Sequence, residues 1–87
     1  MTQETITIEA PSGLHARPVT ELVRLVKSFA GTKVTLSTAS REVRADSMLS
    51  ILSLGLKKGT AVTVSADGPQ ETEAVRAIVE SIRSVTE

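Results

Sequence analysis

The sequence predicts an α+β fold, a two-layer open-faced β-sandwich in the order βαββαβα, with a four-stranded antiparallel sheet covered on one face by three helices. Segments with alternating polar and apolar residues predict the strands, and segments with apolar residues at helical spacing predict the helices. Glycine or proline lies at most of the boundaries between them. A length of 87 residues suffices for one such core, so we expect a single domain over residues 1–87.

The first strand and the first helix are predicted by a change of period. Residues 5–8 alternate polar and apolar side chains, and residues 10–13 contain the proline and glycine that end a strand. From Ala16 onward the apolar residues recur every three or four positions. Pro18 lies in the first turn, where its missing N–H costs little, and Gly31 predicts the end of this helix.

The middle of the chain predicts a hairpin followed by a short helix. Residues 33–37 and 41–45 alternate again, with residues 38–40 as the reversal between them. The Asp-Ser pair at 46–47 is a candidate helix cap, and the Gly-Leu pair at 55–56 is typical of a left-handed helix end with its hydrophobic contact. This second helix is predicted to have about two turns.

The last third predicts a strand and a longer helix. Residues 60–66 alternate, residues 67–69 form a turn, and Pro69 is placed near the first position of the helix. Glu71 and Glu73 are placed near its positive end. The predicted buried stripe consists of Val75, Ile78, Val79, Ile82 and Val85.

The composition excludes several classes of function. Ten basic and ten acidic residues cancel, and the single aromatic residue, Phe29, offers no stacking platform, so we expect no nucleic-acid binding. The absence of cysteine excludes disulfides and thiolate metal sites. Since no signal peptide or membrane-spanning run is recognisable, we expect a cytoplasmic protein without membrane insertion. A monomer is the default expectation.

The only histidine, His15, lies directly before the predicted first helix, in the segment SGLHARP at residues 12–18. A helix N-terminus carries backbone N–H groups without intrahelical acceptors, and those of Ala16 and Arg17 can face an anion attached to the imidazole. The guanidinium of Arg17 suits phosphate oxygens, and Ser12 offers a hydroxyl. The segment therefore predicts an anion site around a nucleophilic nitrogen.

From the residues alone, His15 can be a ligand, an acid or base, a nucleophile, or simply a surface or capping residue. A metal site is disfavoured because no second histidine, no cysteine and no close carboxylate pair accompanies it. An imidazole with a pKa of about 6.5 is largely neutral near pH 7 and has a lone pair for attack. The helix start and Arg17 should lower that pKa and favour an attached phosphoryl dianion.

Two motifs carry a resemblance to a known family. The segment GLHARP at residues 13–18, followed by SMLSILSLG at residues 47–55, closely resembles HPr, the histidine-containing phosphocarrier family of the bacterial sugar phosphotransferase system. The resemblance covers essentially the whole chain. It implies that enzyme I phosphorylates His15 at Nδ1 and that the group then passes to enzyme IIA domains. It also implies a stoichiometric carrier that is not an enzyme and uses no cofactor.

The resemblance assigns further roles by match of motif. Arg17 would assist the phosphoryl group, and Ser12, Ala16 and Arg17 would line its pocket. Ser47 matches the position that a regulatory HPr kinase/phosphorylase modifies in related proteins, which would add a catabolite-control transcription regulator to the partners. Asp46 stands where lysine is frequent and Ser50 where glycine is frequent, and an acidic neighbour would repel a phosphate on Ser47. Ser47 is equally well explained as a helix cap.

A partner surface is predicted beside the histidine. Three apolar residues of the short second helix cannot all point inward, so at least one should remain exposed, while Ile51 is expected in the core. On the first helix, polar and basic residues form an outward strip that begins with Arg17. The residues predicted to contact partners are Thr20, Arg24, Lys27, Met48, Leu49, Leu52 and Ser53.

Two other functions remain open at this stage. The same motif would serve a regulatory HPr-like switch, linked to nitrogen metabolism or transcription, without sugar transport flux. A small α+β ligand or interaction module without phosphorylation is the third possibility.

Overall fold

The computed structural model describes residues 1–11, 13–14 and 16–85, and these residues form the predicted series of elements. The strands are β1 (Thr2–Thr7), β2 (Lys33–Ser37), β3 (Glu42–Arg44) and β4 (Ala61–Asp67). The helices are α1 (Ala16–Lys27), α2 (Met48–Ser53) and α3 (Glu71–Arg83). The predicted fold class is confirmed.

The strands form one antiparallel sheet in the order β1-β4-β2-β3. Its register places Ile6 opposite Val62 and Leu36 opposite Val64, and all four side chains are buried. Because successive side chains of a strand point to opposite faces, the threonines and serines between them lie on the other face. One face of the sheet is therefore apolar and covered, as the alternating sequence predicts.

The three helices cover the apolar face. Helix α3 packs on β1 and β4, α1 packs beside α3, and α2 packs beside α1. The buried helix residues are Val19, Leu22, Val26, Ile51, Ala74, Val75, Ile78, Val79 and Ile82. Burying each large side chain contributes about 1.5–3 kcal/mol, so this shared core is what holds the short α2 in place. Among the described residues, no helix is both long enough and apolar enough to cross a membrane.

Helix α1 ends earlier than the sequence predicts. Its last residue is Lys27, and the following turn is held by bonds of 3.1 Å from Ser28 N to Leu25 O and from Phe29 N to Val26 O. Gly31 has a φ of 85° and lies in the reversal that leads into β2. The left-handed conformation thus serves the turn and not the helix end.

The starts of β1 and α3 also differ from the predicted boundaries, because tertiary contacts determine them. Strand β1 begins at Thr2, since the strand pairs with β4 over its whole length, and that pairing is invisible in the local sequence. Helix α3 begins at Glu71 with Gln70 as its N-cap, so Pro69 lies outside the helix. The backbone N–H of Gln70 donates to Thr32 Oγ1 at 3.2 Å, which ties the start of α3 to the turn before β2.

Candidate functional site

The segment that leads into α1 is attached to the end of α2. Leu14 N donates a hydrogen bond to Leu56 O at 2.8 Å, and Gly13 N donates to Ala10 O at 2.9 Å. The side chains of Leu14 and Leu56 are both buried. The N-terminus of α1 is therefore fixed by backbone contacts with a distant part of the chain. The predicted site residues Ser12 and His15 lie outside the described residues.

Gly13 can only be glycine at this point of the structure. Its φ is 68°, and a Cβ built on it would overlap Leu56 O and lie 2.9 Å from Lys57 Cα. Gly55, with a φ of 64°, follows the last turn of α2 and brings Leu56 to this position. The predicted left-handed end of α2 with its buried Leu56 contact is confirmed.

The first turn of α1 favours an anion. The N–H groups of this turn have no intrahelical acceptor. Pro18, which has no N–H group, is the third residue of the helix. The turn contains no carboxylate, and the side chains of Ala16 and Arg17 are exposed. Thr20 Oγ1 donates to Ala16 O at 2.8 Å, which is a bond within the helix. The charge of Arg17 adds to the positive end of the helix dipole.

The predicted partner contacts of α1 and α2 lie side by side. Thr20 Oγ1 is 3.6 Å from Met48 Sδ, so the two helices touch at this pair. Leu49 is 81% exposed, whereas Met48 and Leu52 are half-buried. The prediction that one apolar residue of α2 remains exposed is confirmed, as is the core position of Ile51, which is 1% exposed.

We call this surface the α1–α2 face. It consists of Arg17, Thr20, Arg24, Lys27, Met48, Leu49, Leu52 and Ser53. Its charged members are all basic, although Glu21 is exposed on the neighbouring strip of α1. An exposed leucine beside a helix that presents basic residues is the kind of surface that fits an acidic partner.

Ser47 is the N-cap of α2. Its Oγ accepts a hydrogen bond from Ser50 N at 3.4 Å, and its extended backbone, with φ −123° and ψ 117°, is typical of this position. Asp46, the other candidate cap, instead accepts a hydrogen bond of 3.2 Å from Arg44 Nη2. The capping interpretation of Ser47 is thus confirmed, while its modification stays a prediction.

The structure adds a contact that sequence reasoning missed. Arg41 Nη2 donates to Ser53 Oγ at 3.0 Å, and Ser53 Oγ donates to Ser50 O at 2.6 Å. Arg41, predicted to lie in a strand, lies in the turn before β3, where Thr38 N donates to its carbonyl oxygen at 2.9 Å. No local pattern indicates this pairing, because it depends on how the hairpin packs beside α2.

An ion pair that joins the chain start to α3 lies away from this site. The N-terminal ammonium of Met1 is 2.7 Å from Glu71 Oε2, and Thr2 Oγ1 donates to the same oxygen at 2.7 Å. The ammonium and the Thr2 hydroxyl hold the pKa of Glu71 below its ordinary value, and Glu71 raises the pKa of the ammonium. Within the described part of the chain, no three His, Cys, Asp or Glu side chains come together in a group that could hold a metal ion.

The family model described as "PTS HPr component phosphorylation site" matches residues 2–84. The chain belongs to the HPr family. A curated relative, the phosphocarrier protein HPr of Vibrio cholerae serotype O1, is 39% identical over 79 residues, which are 91% of this chain and 92% of the relative. Family membership accounts for the two sequence motifs.

Solved HPr structures share the whole fold. A crystal structure of HPr from Thermoanaerobacter tengcongensis superposes with a TM-score of 0.90 at 37% identity, covering 97% of this chain and 93% of that one. The catabolite repression protein Crh of Bacillus subtilis superposes with a TM-score of 0.77 at 29% identity, covering 100% and 99% of the two chains. The open-faced sandwich found here is therefore the fold of the family.

Proposed function

We propose that this HPr-family protein is a cytoplasmic phosphoryl carrier that accepts a phosphoryl group from phospho-enzyme I on His15 and passes it to enzyme IIA domains of sugar permeases. The observation that supports it best is the start of α1. The first turn of α1 offers backbone N–H groups and the charge of Arg17, and Leu56 O holds Leu14 in place before that turn. The match to the family's phosphorylation-site model supports the same role.

The transfer is an exchange of one bond to phosphorus for another. The lone pair of a neutral His15 nitrogen, Nδ1 in this proposal, attacks phosphorus, the N–P bond forms, and the donor keeps the electron pair of the bond that breaks. The phosphoryl dianion then interacts with the backbone N–H groups of Ala16 and Arg17, with the guanidinium of Arg17 and with the Ser12 hydroxyl. A helix terminus contributes about 0.3–1 kcal/mol to an exposed anion, which is weak enough to let the group leave.

The α1–α2 face would receive both the donor and the acceptor proteins. Its cations raise the rate of encounter with acidic partners, and the exposed Leu49 gives a small apolar contact. A small interface releases its partner quickly, which a carrier that alternates between two partners requires.

The decisive experiment incubates the protein with enzyme I and phosphoenolpyruvate. We expect one phosphoryl group per chain, labile in acid and stable in alkali, that an enzyme IIA domain then removes. His15→Ala should take up none and Arg17→Ala should take it up more slowly, with both variants folded by circular dichroism. Full labelling of His15→Ala, or no labelling of the wild type by an active cognate enzyme I, would refute the proposal.

Regulation at Ser47 is a second part of the proposal. The position of Ser47 at the positive end of α2 can hold a phosphate, which would add about −1.5 to −2 charges beside Leu49. An HPr kinase/phosphorylase would add it, and a catabolite-control transcription regulator would read it. Incubation with such a kinase and ATP should label the wild type and not Ser47→Ala.

A regulatory switch without sugar flux is the second candidate function, and the likeness to a catabolite repression protein supports it. Deletion of the gene separates the two, since loss of growth on several transported sugars favours transport and unchanged sugar uptake favours regulation.

We also propose that the protein works as a monomer. Two of the similar structures are described as dimers, one of them with a swapped domain. Light scattering after size exclusion should give the monomer mass of 9.2 kDa at micromolar concentration. A mass of twice that value would contradict a monomer.

A further inference from the structure

A second charged cleft lies at the other end of α1. It has a volume of about 230 Å³ and opens between the last turn of α1, the reversal before β2 and the end of β3. Lys27, Lys33, Arg44 and Asp46 contribute its charges, and Phe29 lines it. Helix α1 has 12 residues and is therefore about 18 Å long, so this cleft is separate from the site at its N-terminus.

The charge of the cleft is unbalanced. Three cations face one carboxylate in a protein whose formal net charge is zero. That carboxylate, Asp46, is 3.2 Å from Arg44 and both side chains are largely exposed, so the pair contributes at most about 1 kcal/mol and can be displaced. The C-terminal end of α1 adds only about half a negative charge. Asp67 lies opposite Lys33 in the register of β2 and β4 and offsets part of its charge, so a net positive charge of at least about half a unit remains for a ligand.

The floor of the cleft is built by the core. Val26 and Val34 are 4% and 3% exposed, and the half-buried Phe29 packs against the same core. The backbone beneath the cations is also ordered, because Ala45 N donates to Val34 O at 3.0 Å and Thr32 N donates to Phe29 O at 3.1 Å. Lys27, Lys33 and Arg44 therefore line one opening above a base held by the core.

We propose that this cleft binds a small polyanion with two adjacent phosphate groups, with Lys27, Lys33 and Arg44 as its contacts and Asp46 as an internal competitor. Arginine and lysine together suit such a ligand, since the guanidinium can hold one phosphate by two bonds and each ammonium acts as a point charge. The volume accommodates a diphosphate and leaves the aromatic ring beside it. Because Lys27 also belongs to the α1–α2 face, the bound anion would lower the positive charge of that face.

The test is a nuclear magnetic resonance titration of the His15→Ala protein, in which the N-terminal site of α1 lacks its imidazole. The probes are inorganic pyrophosphate and inorganic phosphate, with chloride as the control at matched ionic strength. We expect saturable shifts in residues 27–34 and 44–46, with pyrophosphate binding more tightly than phosphate. Shifts that never saturate, or that chloride reproduces, would refute the site.

Matched variants test the named contacts. Lys33→Ala and Arg44→Ala should each weaken pyrophosphate binding about two- to fivefold, as expected for exposed charge pairs, and Asp46→Asn should strengthen it by a similar factor. Lys58→Ala removes the same charge from an exposed position outside the cleft and should leave the affinity unchanged. Equal weakening by Lys58→Ala would show attraction to overall charge only and would overturn the proposal.

Discussion

A single glycine determines how the segment before α1 approaches α2. Gly13 combines a left-handed φ of 68° with a backbone contact so close that a Cβ would overlap Leu56 O. Gly31 has a similar φ of 85° but no atom within 4 Å of the position of a Cβ. Substitution of Gly31 therefore measures backbone strain alone, whereas substitution of Gly13 measures backbone strain together with the steric overlap.

We predict that Gly13→Ala destabilises the protein by about 2–4 kcal/mol, since it combines backbone strain with overpacking. Gly31→Ala should cost only about 1 kcal/mol, because only the backbone strain applies. The free energy of unfolding in urea measures both. Equal losses for the two variants would mean that the contact with Leu56 is not tight.

Leu49 and Ile51 are neighbours in α2 with opposite surroundings, at 81% and 1% exposure. Leu49→Ala should change the free energy of unfolding by no more than about 0.5 kcal/mol while slowing phosphoryl exchange with enzyme I. Ile51→Ala should cost about 2–5 kcal/mol because it leaves a cavity in the core. Unchanged exchange kinetics in Leu49→Ala would remove Leu49 from the partner surface.

At the scale of the element, α2 depends on its cap. A helix of six residues is unstable alone, so α2 relies on packing through Ile51 and on the bond from Ser50 N to Ser47 Oγ. Ser47 has two proposed roles, and different substitutions separate them.

We predict that Ser47→Ala lowers the free energy of unfolding by about 1 kcal/mol through loss of the cap. Ser47→Asp should keep the stability, because aspartate caps equally well, yet slow transfer from enzyme I by placing a negative charge beside the α1–α2 face. Thermal unfolding and transfer kinetics measure the two effects. A Ser47→Asp protein that exchanges at the wild-type rate would argue against regulation through charge at this position.

The contact between β1 and α3 predicts a dependence on pH. Glu71 has a lowered pKa, so its stabilising effect is complete above its unfolded pKa and is lost as the pH falls through the folded value. The Met1 ammonium has a raised pKa, so its effect is complete below its unfolded pKa and is lost as the pH rises through the folded value. The contribution should therefore be fullest between about pH 5 and pH 7.

Glu71→Gln should remove this dependence, and the effect should be small because the ion pair is exposed. The free energy of unfolding of wild type and variant should be measured between about pH 3 and about pH 9, in steps on the order of one pH unit. Glu80→Gln, on the same helix and exposed, is the matched control. Parallel curves for wild type and Glu71→Gln would contradict a stabilising pair between Glu71 and the Met1 ammonium.

At the scale of the whole molecule, a net charge of zero conceals a positive α1–α2 face. The rate of transfer from enzyme I should fall as the salt concentration rises, because screening weakens electrostatic steering. Replacing Arg24 and Lys27 with alanine should lower the rate at low salt and flatten this dependence. Arg76→Ala, exposed on α3, should leave it unchanged. A transfer rate that is independent of salt would contradict steering by this face.

Most of the architecture follows from periodicity along the chain. The element order, the buried stripe of α3 from Val75 to Ile82, the end of α2 at Gly55 and the exposed apolar residue of α2 were predictable, because each depends on side chains close in sequence. Val85, predicted in the same stripe, lies beyond α3 and is half-buried. The start of α1 at Ala16 was also predictable. The errors fall at ends set by distant partners, such as Thr2 paired with β4 and Gln70 bonded to Thr32.

The sequence by itself determined the fold class, the family and the chemistry proposed for His15, since these rest on local patterns and motifs. Only the tertiary structure decided that Leu56 O holds Leu14 in front of α1, that Arg41 reaches Ser53, and that Lys27, Lys33 and Arg44 surround one cleft. The physical reason is that these contacts join residues distant in sequence, often through backbone atoms that every residue possesses. Local patterns therefore contain no signal for them.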